Sequence, residues 1–253
     1  MTFARECFIV FNRQIRMNFR NPAWVFIGVL QPVLYLLLFG PLLKPLVSSF
    51  PGGSANAYTF LVPGLLVQLG LFGAFFAGFG LIGEWREGVI EAERVTPASR
   101  TALLVGRLLR DVIQLFVQAL ILVGLGIVMG MRASVEGVVV GVALTLLIGG
   151  ACAAASNALA LTTKSEDVMA PVINMVMMPV LLLSGILLPM TLGPGWLQRV
   201  SDFMPFRWIT DAVRGTFAGD AAGSTMLWGT VWALGLFALA IWWGTSVFRK
   251  EDA

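Results

Sequence analysis

Charged residues are concentrated in two short segments of a chain that is otherwise largely apolar. The first, EWREGVIEAERVTPASR, runs from Glu84 to Arg100 and is called the charged segment below. Read as a helix, it places Glu84, Glu87 and Glu91 on one face, at i, i+3 and i+7. Arg94 falls on the same face at i+10. A strongly polar face between two apolar runs predicts a docking surface, and the alternative is a solvated loop between two membrane spans.

The predicted helix of the charged segment covers residues 84–96 and should end near Val95. Thr96 supplies an N-cap for a new helix, Pro97 suits its first turn, and the residue before a proline is biased out of the helical region. A short helix is therefore expected to meet a long one at a sharp bend.

The second segment carries Asp202, Arg207, Asp211 and Arg214. Asp211 lies four residues after Arg207 and three before Arg214, so local ion pairs are expected on one helix. These four side chains are also the only candidates for a membrane enzyme, such as a lipid transferase.

The composition places the chain in a bilayer. Apolar residues make up 58% and charged residues 12%, and the mean hydropathy is +0.86. About six apolar runs reach the roughly 18 residues that a helix needs to cross the hydrocarbon layer. They do not alternate at period two, so the fold class expected is an all-α membrane protein with one transmembrane domain over 1–253. Histidine is absent, which excludes histidine metal sites and histidine-based catalysis.

The expected membrane spans are six. They cover about 24–43, 59–82, 97–129, 137–161, 169–188 and 226–247. The third exceeds the bilayer thickness, so its first part, with Arg100, Arg107, Arg110 and Asp111, should project into or along the cytosolic interface. A run of small residues from Gly149 to Ser156 predicts a tight contact between helices.

Two further regions should lie at the membrane surfaces. Residues 1–21 form an amphipathic interfacial helix, with arginines on one side and aromatic residues on another, suited to anionic headgroups. Residues 189–218 contain amphipathic pieces too short to span, separated by prolines and glycines, which favours re-entrant outer helices. With the amino terminus inside, twelve Lys and Arg lie on the cytosolic side and five outside, so both termini should be cytosolic.

The sequence contains neither an ATP-binding motif nor an ion-coupling carboxylate that could drive transport. The P-loop pattern is missing, and no Asp or Glu lies clearly at mid-membrane, as an ion-driven carrier usually requires. The intramembrane polar residues are amides, which favour hydrogen bonds between helices. They are Gln31, Gln68, Gln114, Gln118, Asn157 and Asn174. An external ATPase docking on the charged segment would supply the motor, whereas an ion-coupled carrier is the competing hypothesis.

Three features resemble the membrane-spanning permease subunit of type-2 ABC exporters, in particular the daunorubicin-resistance branch. They are the charged segment ending in VTPASR, the pattern SGILLPM…PGWLQ…MPFRWITDAVR before the last span, and the arginine-bearing amphipathic start. The resemblance covers nearly the whole chain. It implies a permease without enzymatic activity that exports an amphiphilic drug or lipid-like substrate. The alternative within the family is a polysaccharide or glycolipid exporter.

The resemblance also implies partners and site residues. The chain would dimerise, as a homodimer or with a related permease, in the inner (plasma) membrane and pair with two ATPase subunits that bind ATP and magnesium. No nucleic acid is expected. Coupling to the ATPase would involve Glu84, Arg86, Glu87, Gly88, Glu91, Arg94, Thr96 and Pro97. The outer gate would involve Pro189, Pro194, Trp196, Pro205, Arg207, Asp211 and Arg214.

Overall fold

The fold is a bundle of helices. The computed structural model describes residues 3–20, 23–47, 56–89, 100–187, 189–220 and 223–250. Across these ranges the chain forms helices joined by short turns and contains no strand. The all-α prediction is therefore confirmed.

Ten α-helices follow one another in the described ranges. They are α1 (Phe3–Arg20), α2 (Ala23–Val47), α3 (Ala57–Phe75), α4 (Ala77–Arg86), α5 (Arg100–Val128), α6 (Val135–Thr163), α7 (Glu166–Leu183), α8 (Gly195–Asp202), α9 (Pro205–Ala218) and α10 (Ser224–Lys250). A single 3-10 turn, Met190–Leu192, precedes α8.

Six stretches of the described chain are long and apolar enough to cross a membrane, as predicted. They are formed by α2, by α3 together with α4, and by α5, α6, α7 and α10. The second span stays continuous because Phe76, between α3 and α4, keeps helical dihedral angles and donates its N–H to the Phe72 carbonyl at 3.2 Å. The chain is thus a multi-pass membrane protein.

Helix starts follow from local capping residues. The Asn56 side chain accepts a hydrogen bond from the Tyr58 N–H at 3.0 Å and caps α3. The Ser134 hydroxyl accepts one from the Gly137 N–H at 3.0 Å and caps α6. Each cap satisfies a backbone donor that the first helical turn leaves without a partner.

The centre of the bundle is the contact of α3 and α4 with α6. Small residues bring the backbones together, as the run from Gly149 to Ser156 predicts. A Cβ on Gly78 would lie 2.5 Å from the Ser156 carbonyl oxygen, and one on Gly149 would lie 3.6 Å from the Gly70 Cα of α3. The Ser156 hydroxyl donates to the Phe75 carbonyl at 2.5 Å. By contrast, α2, α7 and α10 expose many large apolar side chains at the periphery.

Three boundaries differ from the predictions. Helix α2 continues to Val47, beyond the predicted end of the first span. Helix α7 ends at Leu183, before the predicted end near residue 188, and Gly185 follows with a φ of +70°. The charged segment does not form one continuous helix from Glu84, because α4 ends at Arg86 and Gly88 has a φ of +74°. Glycine occupies this left-handed region without the steric cost that other residues meet.

Candidate functional site

Glu84 lies in the last turn of α4, with its carboxylate directed into the bundle. Arg107, on α5, donates to Glu84 Oε2 from Nε at 3.1 Å and from Nη2 at 2.7 Å. The Arg107 side chain is only 1% exposed and that of Glu84 12% exposed. This is a buried, charge-assisted ion pair between two successive spans.

Gln14 extends the pair to α1. Its Nε2 donates to Glu84 Oε1 at 3.0 Å, while its Oε1 accepts from Arg110 Nη1 at 2.8 Å. Arg110 Nη1 also lies 3.5 Å from Glu84 Oε1. A single amide side chain therefore contacts both the carboxylate of α4 and a guanidinium of α5. Because Gln14 is itself buried, these contacts are shielded from water.

The charges in this cluster balance. Arg110 Nε donates to Asp111 Oδ1 at 2.9 Å, which adds a second carboxylate to the two guanidiniums. We refer to Gln14, Glu84, Arg107, Arg110 and Asp111 as the Glu84 cluster, and to its side of the bundle as the Glu84 end. Removing one partner from such a buried set leaves an uncompensated charge, which costs about 3–5 kcal/mol.

The solvent-exposed part of the Glu84 end is polar. Arg86, directly after Glu84 and Trp85, makes an ion pair with Glu166 of α7 at 3.1 Å. The Lys164 ammonium lies 5.9 Å from the Trp85 ring centroid, a cation–π contact. Both Arg86 and Glu166 are about half exposed, so this contact forms at the surface. Glu87 is also exposed.

The predicted coupling residues thus divide into three groups. Glu84 is turned inward, and Arg86, Glu87 and Gly88 lie at the surface or in the turn after α4. The others, Glu91, Arg94, Thr96 and Pro97, lie outside the described residues. Arg107 does not project from the bundle as predicted, because α4 provides its carboxylate partner inside.

At the opposite end of the bundle, Arg214 of α9 lies between two other elements, with its side chain 12% exposed. Its Nη2 donates to the Ile186 carbonyl at 2.7 Å, and its guanidinium lies 4.1 Å from the Phe60 ring centroid. Asp211 is at 4.0 Å. We refer to Phe60, Ile186, Asp211 and Arg214 as the Arg214 cluster, and to this side as the Arg214 end. Burial lowers the pKa of Arg214 to about 10, so the guanidinium stays charged at neutral pH.

Close packing at the Arg214 cluster depends on Gly64 of α3. A Cβ at this position would lie 2.3 Å from the Ile186 carbonyl oxygen and 3.1 Å from Arg214 Nη2. Glycine thus lets the turn after α7 approach α3 closely enough to place its carbonyl beside the guanidinium.

Arg207 joins α9 to α8. It makes an ion pair with Asp202 and donates to the Ser201 hydroxyl at 2.7 Å and to the Gln198 carbonyl at 3.1 Å. Its Nε lies 3.6 Å from Asp211. The predicted local ion pairs of Asp211 with Arg207 and Arg214 are therefore confirmed.

The remaining residues predicted for the outer gate border the short helices. Pro189 and Pro194 precede the 3-10 turn and α8, respectively, and Pro205 is the first residue of α9. Trp196 is exposed on α8. Short helices therefore occupy 190–218, and their re-entrant, outer position stays a prediction.

Sequence reasoning missed Gln14, Phe60 and Ile186. Gln14 could have been found, because Cys7, Val10 and Gln14 recur at i, i+3 and i+7 and form the buried face of α1. Ile186 contributes only a backbone carbonyl, which no residue pattern identifies. Within the described residues, no group of three or more His, Cys, Asp or Glu could hold a metal ion.

Six candidate spans, short helices before the last of them and exposed charges at the end of the second are the features expected of a membrane permease. The chain belongs to the ABC-2 type transporter family, whose model matches residues 5–218.

Its relatives include named drug-resistance permeases. The chain is 25% identical over 237 residues to the "Probable doxorubicin resistance ABC transporter permease protein DrrC" of Mycobacterium tuberculosis, covering 92% of this chain and 84% of that protein. It is 28% identical over 195 residues to the "Daunorubicin resistance ABC transporter permease protein DrrB1" of Streptomyces coeruleorubidus, covering 76% and 68%. It is also 26% identical over 214 residues to the "Putative transport permease ycf38" of Cyanophora paradoxa, covering 84% and 74%.

Proposed function

We propose that this chain is the membrane-spanning subunit of an ATP-driven exporter that moves an amphiphilic drug or lipid-like substrate out of the cell. ATP and magnesium bind to separate ATPase subunits, two per pair of permease chains. The names of the doxorubicin- and daunorubicin-resistance relatives support this class of cargo. The observation that carries the coupling mechanism is the buried Glu84–Arg107 pair beside an exposed turn.

The orientation follows from charge. The Glu84 end carries most of the Lys and Arg and faces the cytosol, with both termini on that side of the inner (plasma) membrane. The Arg214 end faces outward.

Arg86 and Glu87 form the exposed start of the ATPase contact, and the rest of the charged segment, with Glu91, Arg94, Thr96 and Pro97, completes it. Glu84 acts differently, because its carboxylate is occupied inside the bundle. It anchors the segment to α5. A displacement of the segment by the ATPase is then passed to the third span through the Glu84–Arg107 pair and to α1 through Gln14.

Outward release involves the Arg214 cluster. The contact of Arg214 with the Ile186 carbonyl and the Phe60 ring closes α9 against α3 and the turn after α7. Loss of this contact frees α9 and α8, with Arg207, Trp196 and the flanking prolines, to open a path.

The test is ATP-dependent uptake of doxorubicin into inside-out vesicles that contain the chain and its ATPase. Replacing Arg86 and Glu87 together by Ala should lower both ATPase association and uptake, because the exposed docking charges are lost. The control is Glu136→Ala, an exposed carboxylate at the Arg214 end. Uptake driven by a proton gradient without ATP would instead identify a carrier. If the ATPase binds and the complex transports a lipid-linked glycan but not doxorubicin, the chain is a glycolipid exporter.

A further inference from the structure

Helix α1 presents three different faces. Cys7, Val10 and Gln14 are buried against the bundle. The contact with α5 is close, since a Cβ on Gly106 would lie 2.7 Å from Val10 Cγ1. Helix α1 therefore packs closely against α5 through this face.

The second face of α1 is apolar and faces away from the protein. Phe8 is 62% exposed, and Phe11 and Ile15, at i+3 and i+7 from it, are only partly covered. Exposed aromatic and aliphatic side chains on an amphipathic helix suit the boundary between headgroups and acyl chains.

The third face of α1 is basic. Arg5 and Arg16 are exposed, beside the exposed Ile9. They lie beside the apolar face, where a membrane surface would place phosphate groups, and their charge is complementary to anionic headgroups. Each arginine near an anionic surface strengthens binding by about fivefold.

The buried face links this surface to the Glu84 cluster. Gln14 contacts Glu84 at 3.0 Å and Arg110 at 2.8 Å, so a change in the position of α1 alters both hydrogen bonds. Glu84 is three residues before the exposed Glu87, at the start of the charged segment.

We propose that anionic lipid headgroups bind the basic face of α1 and regulate transport by holding Gln14 in its contacts with Glu84 and Arg110. The regulatory part rests on the proposed exporter function, whereas lipid binding does not. Anionic lipid fixes α1 against the membrane, and the fixed helix keeps the charged segment in the position from which it acts on α5.

Lipid binding is tested on the purified permease alone. Native mass spectrometry in a mixture of phosphatidylglycerol and phosphatidylcholine should show preferential retention of phosphatidylglycerol by the wild type. The Arg5→Gln/Arg16→Gln variant should lose most of this preference, with a drop of about tenfold or more expected from two arginines. The control is Arg132→Gln/Arg199→Gln, which removes two exposed arginines elsewhere. Equal retention by the wild type and the Arg5/Arg16 variant would overturn the proposal.

Regulation is tested on the full complex in nanodiscs of phosphatidylcholine with and without phosphatidylglycerol. The lipid-dependent gain in ATPase activity should be present in the wild type and absent in the Arg5/Arg16 variant. Gln14→Leu should retain phosphatidylglycerol but lose the gain. A Gln14→Leu variant with the full gain would contradict the role of Gln14. A complex without ATP-dependent activity in any lipid, together with intact phosphatidylglycerol preference, would refute the exporter function and leave the lipid site standing.

Discussion

Each end of the bundle contains an arginine with little solvent exposure, but the two arginines are held in different ways. Arg107 makes two hydrogen bonds to one carboxylate, Glu84, within a charge-balanced cluster drawn from three helices. Arg214 donates to a neutral carbonyl and stacks over Phe60, and its nearest carboxylate is 4.0 Å away. The first arrangement is suited to a fixed joint that transmits force. The second is a weaker contact, and in the proposed mechanism it is the closure that opens for release.

The largest effect is expected from breaking the fixed joint. Glu84→Ala should destabilise the chain by about 3–5 kcal/mol, because it leaves Arg107 buried without its carboxylate. Thermal or denaturant unfolding in detergent measures this. The double variant Glu84→Ala/Arg107→Ala should cost less than the sum of the two single variants. Additive costs would mean that the two side chains are not coupled.

A smaller loss of stability is expected when the contacts of Arg214 with Ile186 and Phe60 are removed. Arg214→Ala removes a charged hydrogen bond to Ile186 and should cost about 1.5–3 kcal/mol. Hydrogen exchange should increase around residues 184–187 while the Glu84 end stays protected. Arg214→Lys keeps the charge but not the stacking on Phe60, and should recover only part of the stability. Increased exchange at the Glu84 end instead would contradict the local nature of this contact.

Gly64→Ala tests the close approach on which the closure depends. The added methyl would meet the Ile186 carbonyl oxygen at 2.3 Å, so a destabilisation of about 1–3 kcal/mol is expected. Gly80→Ala is the matched control, because a Cβ there has no neighbour within 4 Å and alanine favours helix. Equal unfolding free energies for the Gly64→Ala and Gly80→Ala variants would contradict this prediction.

The smallest effect on stability is expected at the surface pair. Glu166→Ala removes the ion pair with Arg86, and both side chains are about half exposed, so the free energy of unfolding should change by about 1 kcal/mol or less. Its unfolding curve should nearly overlay that of the wild type. A loss comparable to that of Glu84→Ala would show that the outward and inward contacts of the charged segment are not distinct.

The sequence predicted the elements whose signals are local. Continuous apolar runs predicted the six spans, and the small residues from Gly149 to Ser156 predicted the tight packing of α6. The spacing of Arg207, Asp211 and Arg214 predicted their ion pairs, since these residues share one helix.

The contacts between distant segments were not predictable in the same way. The end of α4 depends on the left-handed conformation of Gly88, and an isolated glycine within a helical pattern does not reveal its φ. The burial of Arg107 was not predicted, because its carboxylate partner, Glu84, lies on another helix. Its burial becomes favourable because α4 places the Glu84 carboxylate beside it.

The most direct test of the fixed joint is the amount of substrate transported per ATP hydrolysed by the reconstituted complex with Arg107→Lys. Lysine keeps the charge beside Glu84 but cannot make the two-nitrogen contact, which weakens the joint without removing its charge balance. We expect the partner ATPase to remain bound and to hydrolyse ATP, while transport per ATP falls by about tenfold or more, as the loss of one charged hydrogen bond implies. Wild-type transport per ATP in a folded Arg107→Lys complex would contradict a coupling role for the Glu84–Arg107 pair.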